Sequence, residues 1–264
     1  MKLPAAAVGL ALTFALGPVS AQQSPYAEYQ RMTAENAPIE LYELAGEEAW
    51  KKEQGPKNVS LEKCDLGQGP GVLKGAYAGL PRYFADADRV MDLEARLAWC
   101  MTTLQGRSWE NVTERVFGNA DKASEMALLS AYVAGESHGM PMRPGTSHPK
   151  EKAAYELGRE LFYHRAGPWD FSCASCHGES GKRIRMSELP ALNTAKETRP
   201  LMATWPAYRV SNSTFITLEW RMNDCYRQMR MPEPAFGSDI PVALITYMTV
   251  NSQGVVYRGP AIKR

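Results

Sequence analysis

The chain has 264 residues, 44% of them hydrophobic, with 30 basic and 29 acidic side chains and a net charge of +1. That balance excludes a nucleic-acid binder, which needs a concentrated basic surface. The length suits one large domain or two small ones of about 100 residues each.

Met1-Lys2 opens a short apolar run, "AAAVGLALTFALG", that ends in the small residues Val19-Ser20-Ala21. This pattern predicts a secretory signal peptide over 1–21, cleaved after Ala21. The run falls short of the roughly 20 apolar residues that span a bilayer, and no later segment is longer. The expectation is an exported protein with no membrane association, in a compartment where disulfides form.

Next comes "GEEAWKKEQGPKNVSLEKCD" over 46–65, then "DLEARLAWCMTTLQG" over 92–106, a helix stopped by Gly106. The stretch 135–149, "GESHGMPMRPGTSHP", is rich in Gly, Pro and Ser and predicts a break between domains. Apolar positions every three or four residues predict an amphipathic helix over 151–166. Residues 172–178 read "SCASCHG". Cys173, Cys176 and His177 form a Cys-x-x-Cys-His motif, the signature of covalent c-type haem attachment, with His177 as the proximal iron ligand. Few strands and long irregular loops are expected around the haem.

The chain repeats itself. Gly46, Glu48, Trp50, Gly55-Pro56 and Ser60 match Gly158, Glu160, Phe162, Gly167-Pro168 and Ser172 at a constant displacement of 112 residues. Continued, Cys64 falls on Cys176, Leu61 on Cys173 and Asp65 on His177, so the first half has lost one haem thiol and the histidine. Downstream, Leu-Glu-x-Arg-x-x-x-Cys occurs at 93–100 and again at 218–225, displaced by 125. A weaker echo aligns "ALLSAY" at 127–132 with "ALITYM" at 243–248. The expected fold is mainly α: two cytochrome c-like domains in tandem, 22–145 and 146–264, only the second binding haem, one haem c per chain.

Of the five cysteines, Cys173 and Cys176 carry the haem thioethers. Cys64 and Cys100 face one vacated pocket and are the natural disulfide; the alternative is two buried free thiols. Cys225 is left over. It is a candidate for the sixth iron position, where thiolate would lower the reduction potential; the alternatives are Met222, Met229 or Met231, or a buried structural thiol. Arg221 stands one helical turn before Cys225, where a guanidinium lowers a thiol pKa or holds a small oxyanion. Lys182, Arg183, Arg185, Arg227 and Arg230 add basic character nearby, balanced against a solvated surface. His138, His148 and His164 are read as ordinary surface or core side chains.

The stretches 69–106, "CASCHG" at 173–178 and "RMNDCYRQMR" at 221–230 resemble the SoxA family, the cytochrome subunit of the SoxAX complex of bacterial sulfur oxidation. The resemblance implies a periplasmic heterodimer with a SoxX-type monohaem cytochrome. It implies an L-cysteine S-thiosulfotransferase that couples thiosulfate oxidatively to a cysteine thiol of the carrier SoxYZ, electrons leaving through haem. It implies His177 and Cys225 as axial ligands, with Cys225 a persulfide, and Arg221 as the active-site arginine. Leu61 and Asp65 depart from members with two haems, which implies the monohaem type. The competing expectations are a pure electron-transfer cytochrome with a Met-ligated haem, and a binding subunit whose haem is structural.

Overall fold

The structure, a computed structural model, describes residues 39–116, 123–184 and 187–263. The expected signal peptide and Arg185 lie outside the described residues.

Two helix pairs form the frame. Helix α1 (Ile39–Lys51) packs on α3 (Glu125–Gly135), and α4 (Pro149–Tyr163) packs on α8 (Asp239–Asn251); α2 (Leu93–Thr103) lies between α1 and α3 in the chain. Each pair crosses at a glycine. A Cβ on Gly46 would sit 2.1 Å from the Leu128 carbonyl oxygen, and one on Gly158 would sit 2.0 Å from that of Ala243. Glycine costs about 1 kcal/mol relative to alanine inside a helix, so its use at both crossings marks a backbone approach that no side chain permits. The same contacts correct the weak echo. Gly46 meets Leu128 and Tyr132 where Gly158 meets Ala243 and Tyr247, a register displaced by 115 residues. The alignment of "ALLSAY" with "ALITYM" is one residue off, because short apolar runs align on composition while the glycine contacts fix the faces.

Helix α4 begins earlier than the expected 151 and ends at Tyr163. Pro149 occupies the first turn, and His148 caps it in a box with Glu151. Beyond each first helix the two halves make the same turn. Gln54 pairs with Val59 and Ala166 with Phe171; Asn58 (φ 48°) and Asp170 (φ 49°) share the left-handed conformation. Further on, strands β1 (Arg82–Phe84) and β2 (Arg89–Met91) form a hairpin that recurs 125 residues later as β3 (Ala207–Arg209) and β4 (Thr214–Ile216). A last strand, β5 (Ala261–Lys263), adds parallel to β3, giving the order β4-β3-β5; among the described residues the first hairpin has no such third strand.

The halves differ where the sequence repeat decays. Cys64 and Cys100 are joined by a disulfide and are buried. Leu61 and Leu66, fully buried, pack with Leu80 and Met91 around it. Asp65 closes the loop by accepting from the amides of Gly67 and Gly69.

The stretch 135–149, where the domain break is expected, is hydrogen-bonded to the C-terminal segment. Gly139 and Met142 donate to the Tyr257 and Val255 carbonyls, and Tyr257 donates back to Met140. Tyr257 and Val242 belong to the N-terminal core. Past α6 (Ala195–Met202), the N-terminus of α2 meets that of α7 (Leu218–Gln228). Glu94 Oε1 accepts from the Leu218 amide at 3.2 Å, and Glu219 Oε2 accepts from the Gly237 amide at 2.7 Å. Asp92, Glu94 and Glu219 are all buried, and burial raises the pKa of each.

Candidate haem and active site

Ser172 starts helix α5 (Cys173–His177) by accepting from the Ser175 amide, while Ser175 Oγ accepts from the Ser172 amide. One turn of helix places Cys173 and Cys176 at i and i+3 with His177 beside them. His177 Nδ1 lies 2.8 Å from the Pro190 carbonyl, and the Leu192 amide bonds the His177 carbonyl in return. Burial, opposed by the Pro190 bond, lowers the His177 pKa. The neutral ring donates through Nδ1 and keeps Nε2 as a lone pair for a metal.

Helix α7 faces this turn. Thr217 caps its start by accepting from the Trp220 amide, and Arg221 and Cys225 lie one turn apart along it. Cys176 is close enough to Cys225 for its charge to act on it, and Arg221 acts on His177. Burial pushes the Cys225 thiol up and the Cys173 thiol up to about 12. Yet Cys173, Cys176, His177 and Cys225 are only half-buried by surface. Desolvated groups that still expose surface line a recess. Leu192, Met202, Trp205, Leu218 and Tyr226 supply its apolar core.

This donor set fits a c-type haem: two thiols at thioether spacing, a histidine with Nε2 free, and a thiol on the opposing helix. Trp205, in the same apolar cluster, has its buried Nε1 without a partner among the described residues, and so does Arg209 Nε. Met222 packs in the apolar core and Met229 is buried, whereas Cys225 shares the recess with Cys176.

The expected influence of Arg221 on Cys225 is real but smaller than burial, so the thiol pKa rises overall. Arg221 is also paired with Asp224, one turn along the same helix. The other basic residues are occupied. Lys182 bonds the Ser175 carbonyl at 3.0 Å, Arg227 pairs with Glu233, and Arg230 stacks over Trp169; Arg183 is exposed. His148 is a helix cap stacked on Tyr83, His138 lies 3.4 Å from the Gly259 carbonyl, and His164 ends α4. Sequence reasoning missed Arg209 and Lys263. Both sit on the sheet beside α7, and the displacement of 125 that pairs the Leu-Glu-x-Arg motifs would have set Arg209 against Phe84.

A family model described as SoxA/TsdA, cytochrome c domain, matches residues 45–142 and 157–256. The L-cysteine S-thiosulfotransferase subunit SoxA of Hydrogenophilus thermoluteolus is 49% identical over 237 residues, covering 90% of this chain and 86% of that protein. A subunit of the same name from Hydrogenobacter thermophilus is 38% identical, over 86% of this chain and 82% of its own. The crystal structure of SoxXA from P. pantotrophus superposes with a TM-score of 0.72 at 24% identity, covering 90% of this chain and 84% of that one, a likeness of fold. No helix among the described residues is long and apolar enough to cross a membrane. With two cytochrome c-like units and relatives of this closeness over nearly their whole length, the chain belongs to the SoxA family.

Proposed function

We propose that this chain is the catalytic cytochrome of a thiosulfotransferase: it joins thiosulfate to a cysteine thiol of a SoxYZ-type carrier protein. The observation that carries the proposal is the convergence of Cys225 and Arg221, on one turn of α7, with the Cys173–His177 turn. Bound haem c, attached through Cys173 and Cys176 and ligated by His177 and Cys225, supplies a one-electron acceptor. The overall change is balanced: one thiol and one thiosulfate form an S–S bond and release one proton and two electrons, giving a cysteine S-thiosulfonate. Arg221 holds the anion, and Cys225, as thiolate or persulfide, provides the soft sulfur next to which the bond forms. Two electrons and one haem per chain favour a second cytochrome subunit of the SoxX type. The site belongs to the domain over 146–264; the domain over 22–145, closed by the disulfide, is its haem-free counterpart. The predicted signal peptide and the covalent haem both point to the periplasm.

The test replaces Cys225 by Met in the haem-loaded protein. Haem content, measured after denaturation, should remain one per chain while thiosulfate-dependent turnover with the carrier is lost. Retained turnover would move the chemistry away from Cys225 and leave an electron carrier. Two haems per chain would refute the haem-free assignment of the first domain.

A further inference from the structure

The internal duplication supplies a control for every residue of the second half. At the displacement of 125, Arg221 corresponds to Arg96 and Arg209 corresponds to Phe84. Arg96 is fully satisfied. Its Nε donates to the Asp65 carbonyl at 2.7 Å, its guanidinium pairs with Asp86 at 2.9 Å, and it stacks 4.0 Å above the Phe84 ring. That arrangement leaves no room for a ligand and no charge to attract one.

In the second half the ring is replaced by another guanidinium. Arg221 pairs with Asp224, a carboxylate also engaged by Arg227 and Gln228. Arg209 donates to Ser211 Oγ at 3.0 Å; among the described residues it has no carboxylate partner, and its Nε is buried without an acceptor. Its counterpart Phe84 lies 4.0 Å under Arg96, the counterpart of Arg221, and the charges of Arg221, Asp224 and Cys225 all act on Arg209, as that placement requires. Lys263 adds a third cation, in register beside Arg209 across the β3–β5 pair. Its ammonium bonds Thr204 Oγ1 and lies over the Trp205 ring. Burial first, and Arg209 second, pull the Lys263 pKa down to about 8. Asp224, the carboxylate that pairs with Arg221, also serves Arg227, and among the described residues neither Arg209 nor Lys263 forms an ion pair with a carboxylate. Half-buried cations that repel one another are retained where an anion completes them. A guanidinium fork matches the oxygens of a sulfonate, two parallel bonds at a time.

We infer that Arg209 is a second substrate arginine, binding the sulfonate oxygens of thiosulfate together with Arg221 and directing the terminal sulfur at Cys225. This rests on the thiosulfotransferase function proposed above. Held by its oxygens, the dianion presents the one atom that must form the new bond. A haem carboxylate is the other anion that such a guanidinium accepts, and the test separates the two.

The informative variants are Arg209→Phe, the side chain that the same hairpin carries at position 84, and Arg209→Lys, which keeps the charge and loses the fork. Equilibrium dialysis of thiosulfate against the haem-loaded protein without carrier reads binding alone, and haem content and the visible spectrum are measured in parallel. Arg209→Phe should weaken thiosulfate binding about tenfold to a hundredfold, the range for a lost charged hydrogen bond, with haem content and spectrum unchanged. Arg209→Lys should fall between it and the native protein. In turnover, the KM for thiosulfate should rise by a similar factor. Binding within about twofold of native in Arg209→Phe, or haem loss with binding per haem unchanged, would overturn the inference; the second result assigns Arg209 to a haem carboxylate. Arg221→Ala tells this failure from a larger one. If it abolishes binding while Arg209→Phe does not, only the role of Arg209 falls. If the native protein itself binds no thiosulfate, the proposed substrate falls with it.

Discussion

The Cys225 thiol is under opposed influences from its own helix. Burial disfavours the thiolate most; Arg221, four residues before it, favours it, and Asp224, its immediate neighbour, disfavours it to a smaller degree. The ion pair between Arg221 and Asp224 keeps the guanidinium beside the recess without neutralising the two further cations on the sheet. At the same scale, Gly158 is fixed by contact rather than by conformational freedom. Gly158→Ala would ordinarily stabilise a helix by about 1 kcal/mol. Here the new methyl would meet the Ala243 carbonyl at 2.0 Å, and backbone cannot step aside as a side chain can. We expect a destabilisation of about 1–3 kcal/mol, the usual range for overpacking, measured by denaturant unfolding. A stabilised variant would show that α4 and α8 are free to separate.

Among the elements, the contrast lies between two stretches at equivalent places in the repeat. In the second half a capped turn of helix presents Cys173, Cys176 and His177. In the first half a loop turns inward, seats Leu61 and Leu66 in the core and joins Cys64 to Cys100. Apolar side chains and a covalent link hold together what a haem would otherwise fill. The linked residues are 36 apart in sequence, a loop whose closure stabilises by about 3–4 kcal/mol in the chain-entropy model. Cys64→Ser with Cys100→Ser should lower stability by about that amount while haem content stays the same. Loss of haem from this double variant would mean that the first domain helps to hold the cofactor of the second.

In the whole molecule, the two halves are joined by the second residue of each Leu-Glu-x-Arg motif. Glu94 reaches across to the start of α7, and Glu219 reaches to Gly237. Glu219 and Asp92 share a hydrogen bond, and their outer oxygens, Asp92 Oδ2 and Glu219 Oε1, have no other partner. A proton held between them satisfies both. Arg89, bound to the Gly237 carbonyl and to Asp239, is the nearby cation, and Tyr77 lies close to Asp92 and Glu94. Burial raises Asp92 to about 6 and Glu94 to about 8, and lifts Glu219 well above the ordinary carboxylate range. The folded protein therefore binds more protons here than the unfolded chain, whose carboxylates titrate near 4. Stability from this cluster is complete below the unfolded value and is lost as pH rises through about 6 to about 8. Denaturant midpoints of the haem-loaded protein should fall across that window. Glu219→Gln, which keeps a neutral donor, should flatten the fall; an unchanged slope would place the titration elsewhere.

Much of this was legible in one dimension. A haem motif is local, three residues on one turn, so its spacing states its chemistry. Gly46 and Gly158, and Gly55 and Gly167, hold constant spacing because each answers a backbone requirement that recurs in both halves. The pairing of Cys64 with Cys100 was readable because the repeat gave each a counterpart in the candidate site, Cys176 and Cys225. The hydrogen bonds that tie 135–149 to residues 254–257 were not legible, because their partners lie more than a hundred positions away. Burial is likewise a property of the folded surroundings, which is why the spacing of Arg221 and Cys225 gave the sign of one influence on the thiol but not the outcome. The sequence by itself determined the Cys-x-x-Cys-His motif, the duplication and the odd cysteine. Only the tertiary structure decided that the Arg209 charge acts on Cys225 of α7 and that Lys263 stands in register beside Arg209, on strands that touch across 54 positions of sequence, because strand pairing and not spacing along the chain sets which side chains share a face.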